Sequence, residues 1–345
     1  MNTNKNIINK SKSKLKKGKK KAKRFSTLTV VSFFIFELLF TACIFPFILL
    51  YGPFENAKST YVGAAMTSMN HQYLAKWFLS DEKIAKIMGQ NSTETTDETT
   101  NTAQIDIPKV KDETIEYYKI TDNPKYTGHY LVIKDSTRVK IGYTSKLKEE
   151  GETTSQIAEN NDAIAAINGG GFTDKSSNQD WTGTGGLPIG IIMSGGKVVY
   201  NDLEKDKETD LLAINKEGVM LVGKYSIEKL QELGAQEALS FGPSLVINGK
   251  MTPMSGDGGW GIAPRTVIGQ SKDGAIILLA IDGRGASSLG ATLKEAQEVI
   301  YKLGAVNAMN LDGGKSTTMY YDGEIINTPS FSMGERSIPT AIIVK

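Results

Sequence analysis

Two apolar runs, each ending in an acidic, glycine-rich turn and separated by a helix, constrain this chain more than any other feature. The first run, Ala275–Ile281, leads into Asp282-Gly283-Arg284-Gly285. The second, Ala305–Leu311, leads into Asp312-Gly313-Gly314-Lys315-Ser316. The segment between them predicts a helix with both ends marked. Thr292 is placed to cap it and Glu295 to close a capping box; Leu293, Ala296, Ile300 and Leu303 share one face, and Gly304 stops it. A helix crossing between two strands predicts that they run parallel, with their carboxyl ends on one edge of a sheet. Asp282 and Asp312 then share a rim of the kind where open α/β sheets bind ligands.

The amino-terminal end has a different character. Residues 1–24 carry eleven Lys or Arg and no acid, and from Phe25 to Tyr51 the only charge is Glu37. A run of that length spans a hydrocarbon core of about 30 Å. It is too long for the apolar part of a cleaved signal peptide, and no small-x-small cleavage site follows it. The positive-inside rule keeps residues 1–24 in the cytoplasm and puts the rest outside, as a single-pass protein of the cell membrane. Glu37 reads as a tolerated charge and Pro46 as a kink. The formal charge of +2 hides a division: beyond residue 51 there are 29 basic and 37 acidic residues, a net −8. That excludes a nucleic-acid binder on electrostatic grounds. The only cysteine, Cys43, lies in the apolar run, so the exterior part has no disulfide and depends on a large core.

Residues 57–88 predict an amphipathic stalk helix, and 89–104, rich in Asn, Ser, Thr, Glu and Asp, a flexible linker with an Asn91-Ser92-Thr93 sequon. From 105 to 345 short strands outnumber helices. The strand-like runs include Glu116–Ile120, His129–Ile133, Ala163–Ile167, Gly190–Met193, Leu211–Ile214, Ser244–Ile247, Thr266–Ile268 and Ala341–Val344. The expected fold is α+β, a sheet-rich mixed α/β domain.

Further candidates lie at other strand ends. Ala163–Ile167 runs into Asn168-Gly169-Gly170-Gly171-Phe172, a glycine run that gives a ligand room to approach the backbone. Ala263-Pro264-Arg265-Thr266 sets an arginine beside a rigid proline, suited either to phosphate or carboxylate or to a surface ion pair. Trp181 and Trp260 are open to sugar stacking or to a place at the core rim. His71 and His129 read as structural. With only these two histidines and no exterior cysteine, a zinc site is excluded. An oxygen-only Ca²⁺ or Mg²⁺ site from Asp282, Asp312 and Asn310 stays open, below a metal-free, cofactor-free site.

Taken together, the blocks Ala166-Ile167-Asn168-Gly169-Gly170-Gly171-Phe172, Gly242-Pro243-Ser244-Leu245-Val246, Pro264-Arg265-Thr266-Val267-Ile268-Gly269, Asp282-Gly283-Arg284, Asn310 to Thr317 and Glu335-Arg336-Ser337-Ile338-Pro339-Thr340-Ala341 resemble the phosphodiester glycosidase family over roughly residues 125–345. The chain departs from the family pattern twice. Lys315 stands at the third glycine of Asp-Gly-Gly-Gly-Ser, and one glycine is added before Phe172.

The resemblance implies hydrolysis of a sugar-1-phosphate diester of the N-acetylglucosamine type, with a phosphosugar-containing surface polymer or glycan as partner. Glycoside cleavage takes two carboxyl groups about 5–10 Å apart. Asp282 and Asp312, if on neighbouring strands about 5 Å apart, meet that distance. One of them activates water or attacks while the other orients the sugar; Glu335 is a reserve acid or else one half of a surface pair with Arg336. Arg265, Arg284 and Lys315 are candidates for the phosphate, with Asn168, Gly170, Gly171, Gly313, Gly314 and Ser316 around the sugar. Two alternatives stay open: a non-catalytic glycan-binding or exopolysaccharide-assembly protein, and a metal-dependent phosphodiesterase that cuts the P–O bond.

Overall fold

The protein divides at residue 53 into two units, Met1–Pro53 and Phe54–Lys345. The computed structural model describes residues 26–66, 71–90, 98–173, 184–285 and 287–345. The basic tail, the Asn91 sequon and Trp181 lie outside the described residues.

In the first unit, Ser26 accepts from Thr29 N and opens helix α1 (Thr27–Tyr51), which contains Glu37 and Pro46. Its 25 residues rise about 37 Å, and Phe33, Leu38 and Phe40 are all exposed. A helix apolar on all sides is suited to lipid rather than to a water-facing surface. By length and composition it can cross a membrane; a signal sequence near an amino terminus presents the same pattern.

The second unit begins with helices α2 (Glu55–Met66), α3 (Tyr73–Lys76) and α4 (Asp81–Gln90). The single stalk helix expected over 57–88 is thus three helices. Ser80 accepts from Lys83 N at 3.4 Å, a capping contact that starts α4 afresh. Strands β1 (Ile115–Ile120), β2 (Gly128–Ile133) and β3 (Val139–Tyr143) precede helix α5 (Thr154–Asn160). β4 (Ala165–Asn168) and the short pair β5 (Phe172–Thr173) and β6 (Leu187–Pro188) follow. Next come β7 (Ile191–Ser194), β8 (Lys197–Asn201), β9 (Thr209–Asn215), β10 (Met220–Tyr225), helix α6 (Ile227–Glu232) and β11 (Ala235–Ser240). After β12 (Ser244–Ile247) and β13 (Lys250–Met251), the β14 (Arg265–Ser271) and β15 (Ile276–Ile281) hairpin leads to helix α7 (Leu293–Lys302) and β16 (Ala305–Leu311). The chain closes with β17 (Met319–Tyr321), β18 (Glu324–Ile325) and β19 (Thr340–Val344).

Among the described residues the β5-β6 pair forms a small sheet of its own, and three larger sheets have the orders β1-β2-β15-β14-β16-β12-β13, β10-β9-β11-β7-β8 and β18-β17-β4-β19-β3. Each of the three turns one face toward a shared core. Leu131, Leu278 and Met309 come from the first sheet, Leu212, Met220 and Leu239 from the second, and Ile141, Ile167 and Ile342 from the third. The other face of each sheet is closed by its own helix. Leu293, Ala296 and Ile300 of α7 cover the first sheet, Leu230 of α6 the second, and Ile157 and Ala158 of α5 the third. Strands buried on both faces become continuous apolar runs, which is why Ile276–Ile281 does not alternate. Helix α7 forms with the expected capping box between Thr292 and Glu295.

The segment expected to be a free linker is partly tied down. Val222 N of β10 donates to Thr100 Oγ1 at 2.9 Å, and Asn101 N donates to Asn248 Oδ1 at 2.7 Å. Polar side chains that cannot build a core instead satisfy the open edge of β10. Helix α2 is docked as well. A methyl on Gly63 would stand 3.2 Å from Gly259 O, and one on Gly261, whose φ is +61°, would stand 2.6 Å from Ala64 Cβ. Glycine is required at 261 for both the left-handed conformation and the close approach. Gly261→Val should therefore release α2, with about 1–2 kcal/mol lost to the left-handed backbone alone. Limited trypsin digestion should cut the variant after Lys58 and spare the wild type; equal protection would show that α2 is not held there.

Candidate active site

The rim is built by strand polarity. β14 lies between β15 and β16 and is antiparallel to both, pairing Arg265 with Ile281 and Thr266 with Leu311. The ends of β15 and β16 and the start of β14 therefore share one edge, and β15 and β16 do run parallel. They are not neighbours, however, which corrects the expected spacing of Asp282 and Asp312. The tight turn in which Ser271 N bonds Ala275 O pairs β14 with β15 locally, so α7 can return β16 only to the far side of β14. The two aspartate backbones are two strand spacings apart, about 10 Å.

The two acids also differ in surroundings. Asp282 is 4% exposed. Its Oδ1 accepts from Asn327 Nδ2 at 3.1 Å and Thr328 N at 2.9 Å, and its Oδ2 lies 3.5 Å from His129 Nε2. Tyr117 Oη reaches His129 Nδ1 at 2.8 Å, with the two rings stacked. Burial, and then the charge of Asp282, raise the Tyr117 hydroxyl above its ordinary range and keep it protonated. The other ring nitrogen of His129, Nε2, faces Asp282. His129 thus belongs to the rim, a placement that nothing in the run His129–Ile133 signals. Asp312 is half-buried in the turn that follows β16.

Asn168 joins these parts. It is fully buried; its Oδ1 accepts from Thr266 Oγ1 at 2.9 Å and Thr318 N at 3.1 Å, and its Nδ2 donates to Asp312 O. Thr266 Oγ1 also bonds Thr317 Oγ1 at 3.1 Å, and Asn327 Nδ2 reaches Thr317 O at 3.2 Å. The polar chain therefore runs without a break from Tyr117 to the Asp312 turn. Asn168 has its amide committed to this scaffold. The glycines after it make room for protein: a methyl on Gly169 would lie 2.6 Å from Thr340 Oγ1, one on Gly170 2.6 Å from Ser240 O, and one on Gly171 3.3 Å from the Phe241 ring.

Arg265 lies beneath the site. At 3% exposure it donates from Nε to Ala291 O and from Nη2 to Trp260 O, both at 3.0 Å, and to Gly261 O. Burial pulls its guanidinium down to about 10, with Asp257 opposing and Arg284 adding to the effect, so it stays charged at neutral pH. It fixes the 257–263 loop. Trp260 in that loop packs 6.1 Å from Phe241. Pro264 O accepts from Gly314 N at 2.9 Å and would stand 2.8 Å from a methyl on Gly313.

Above this floor the mouth is cationic. Arg284, at φ +59°, extends its guanidinium to 3.4 Å from where a Gly314 Cβ would stand. Lys315 is exposed, with Nζ 5.7 Å from the centre of the Phe331 ring. Ser330 Oγ donates to Gly314 O at 3.2 Å. Beneath the turn, Ser316 is buried and its Oγ has no partner among the described residues; nor has Asn310 Oδ1, whose own Nδ2 donates to Gly242 O. Glu335 faces elsewhere, accepting from Ser155 N at 3.0 Å and Ser155 Oγ in the first turn of α5. Arg336 lies over Phe172, 4.7 Å from the ring centre. Among the described residues, no three of His, Cys, Asp and Glu come together as a metal site.

A sequence model of the phosphodiester glycosidase family matches residues 161–345, more than half of the chain. The protein belongs to the phosphodiester glycosidase family. It is 26% identical over 245 residues to the SPbeta prophage-derived uncharacterized protein YomE of Bacillus subtilis, covering 69% of this chain and 36% of that one. It is 39% identical over 69 residues to the bovine N-acetylglucosamine-1-phosphodiester alpha-N-acetylglucosaminidase, covering 20% of this chain and 13% of the bovine protein. The chain thus spans about a third or less of these relatives. The zebrafish catalytic domain of that name, described as auto-inhibited by its pro-peptide, shares the fold. Its TM-score is 0.57 at 24% identity, covering 72% of this chain and 87% of that one.

Within this phosphodiester glycosidase domain, the Asn168 knot should carry much of the stability of the rim. Asn168→Ala would strand Thr318 N and Asp312 O in the interior, each unmet group costing about 1–3 kcal/mol. An unfolding free energy lowered by that amount in a denaturant titration is the expected result; an unchanged midpoint would show that the rim does not depend on it.

Proposed function

We propose that the protein is a hydrolase that cleaves the glycosidic bond of sugar-1-phosphate diesters. The observation that carries this reading is that the turn bearing the half-buried acid Asp312 lies against the guanidinium of Arg284, which reaches Gly314. In the reaction, the bond from the anomeric carbon to the phosphate oxygen breaks and the phosphomonoester leaves with the bonding pair. Water supplies the new oxygen on the sugar, and its proton passes to solvent.

A phosphate leaving group departs readily without protonation, so one acid in contact with the reacting atoms is enough. Asp312 serves as base or nucleophile, and Arg284 stabilises the charge that grows on the departing phosphate. Asp282, held by His129, Asn327 and Thr328, positions the rim rather than attacking. The N-acetylglucosamine type of substrate is carried over from the names of the relatives. The setting we infer is extracellular, with α1 as a single-pass anchor and the basic tail in the cytoplasm.

The test is product analysis with the full chain in detergent and a single N-acetylglucosamine-1-phosphate diester, in the presence of chelator. Free sugar should appear, and Asp312→Ala should lower its rate on the order of 10²–10⁴-fold. Metal-dependent release of sugar phosphate would instead mean P–O cleavage. Binding without turnover would mean a non-catalytic glycan binder.

A further inference from the structure

The cations at the mouth exceed what one diester needs. A phosphodiester carries a single negative charge, which Arg284 alone can match with two donors. Lys315, on the turn that follows β16, adds a second positive charge one residue beyond Gly314, against which the Arg284 guanidinium lies. Nothing in the turn requires a lysine: residue 315 does not adopt a left-handed backbone, and its side chain is exposed. Among the described residues, neither Lys315 nor Arg284 has a carboxylate within ion-pair reach.

Two cations on adjoining turns, with no carboxylate partner among the described residues, stand out in a domain whose sequence beyond residue 51 is net −8. Both are held in place. Arg284 is fixed in the left-handed region by Arg284 N to Leu289 O and Gly285 N to Ser288 O, at 3.1 and 2.9 Å. A non-glycine residue kept in that conformation marks a place where the surroundings impose a geometry. Lys315 lies over the Phe331 ring, and Ser330 ties the Phe331 segment back to Gly314 O. The ring restricts the ammonium without removing its charge.

We propose that Lys315 is a specificity-determining residue, forming with Phe331 a subsite for a second phosphate beyond the scissile one. The preferred substrate then carries at least two phosphate groups near the reacting bond. Two sources share that chemistry: a sugar linked through a pyrophosphate, as in a nucleoside diphosphate sugar, and an oligomer of sugar-phosphate repeats. The assignment of Arg284 to the scissile phosphate rests on the proposed reaction; the excess charge does not. Salt screens a subsite of this kind, because Lys315 is exposed.

The experiment measures binding in the full-length Asp312→Ala protein in detergent, where the proposed turnover is removed. Three ligands are compared: a single N-acetylglucosamine-1-phosphate diester, a nucleoside diphosphate N-acetylglucosamine, and an oligomer of at least two sugar-phosphate repeats. One or both of the two-phosphate ligands should bind about five- to tenfold more tightly than the single diester. Lys315→Met should abolish that ratio and Lys315→Arg should keep it, while higher salt should erode it. Which two-phosphate ligand shows the ratio identifies the source. The inference fails if Lys315→Met weakens all three ligands in the same proportion, since the lysine then serves the scissile phosphate. It also fails if the ratio is absent from the start or survives Lys315→Met. Turnover of the single diester by the wild type is read separately, so a failed reaction and a failed subsite give different results.

Discussion

The rim depends on one buried amide. Asn168 ends β4 in the third sheet, accepts from Thr266 on β14 of the first, and donates to the carbonyl of Asp312 at the end of β16. Two sheets that share a core would otherwise meet at an open seam of unmet polar groups. Three hydrogen bonds from one side chain close it at no cost in exposed surface, and replacing that side chain leaves several partners stranded. The glycine run that follows makes this possible. Gly169 and Gly170 bring their backbone against Thr340 and Ser240, where a side chain would force the strands apart.

From that knot the unequal fate of the two aspartates follows. Asp282 stands on the inner face of β15, in line with Leu278 and Ala280 of the shared core, so its charge must be met inside the protein. His129, Asn327 and Thr328 N meet it, and a buried carboxylate with partners on both oxygens is a scaffold anion. Asp312 follows Leu311 out of the sheet into the turn, where Pro264, Gly313 and Gly314 pack too closely for side chains and leave the mouth to Arg284 and Lys315. A phosphate leaving group suits such a site, because the chemistry then asks for positive charge more than for a second acid.

Much of this was legible in the sequence where signals are local. The capped helix α7, the apolar runs of β15 and β16 and their shared edge need only residues 275–317. The family resemblance located Asn168, Arg265, Arg284 and Asp312 in separate blocks. What was not legible depends on pairing across the chain. The insertion of β14 between β15 and β16 comes from a hairpin that precedes the crossover in the chain, and no periodicity reports it. β3, β10 and β11 escaped because their burial is set by partners far away; Gly142 and Gly223 interrupt the first two. His129 looked like an ordinary strand residue because Asp282 and Tyr117 meet it only in three dimensions. The polar stretch 98–104 read as a linker because composition cannot show that the edge of β10 needs hydrogen-bond partners. Arg265 was taken for a phosphate ligand, although its strand parity turns it toward α7 and the carbonyls of the 257–261 loop.

The most direct test of this account is the position of bond cleavage, read by mass spectrometry after hydrolysis in ¹⁸O-labelled water. The roles proposed for Asp312 and Arg284 predict attack at the sugar carbon, with the label in the released sugar and none in the phosphomonoester. Label in the phosphate would mean attack at phosphorus, and the glycosidase reading of the Asp312 turn would be contradicted.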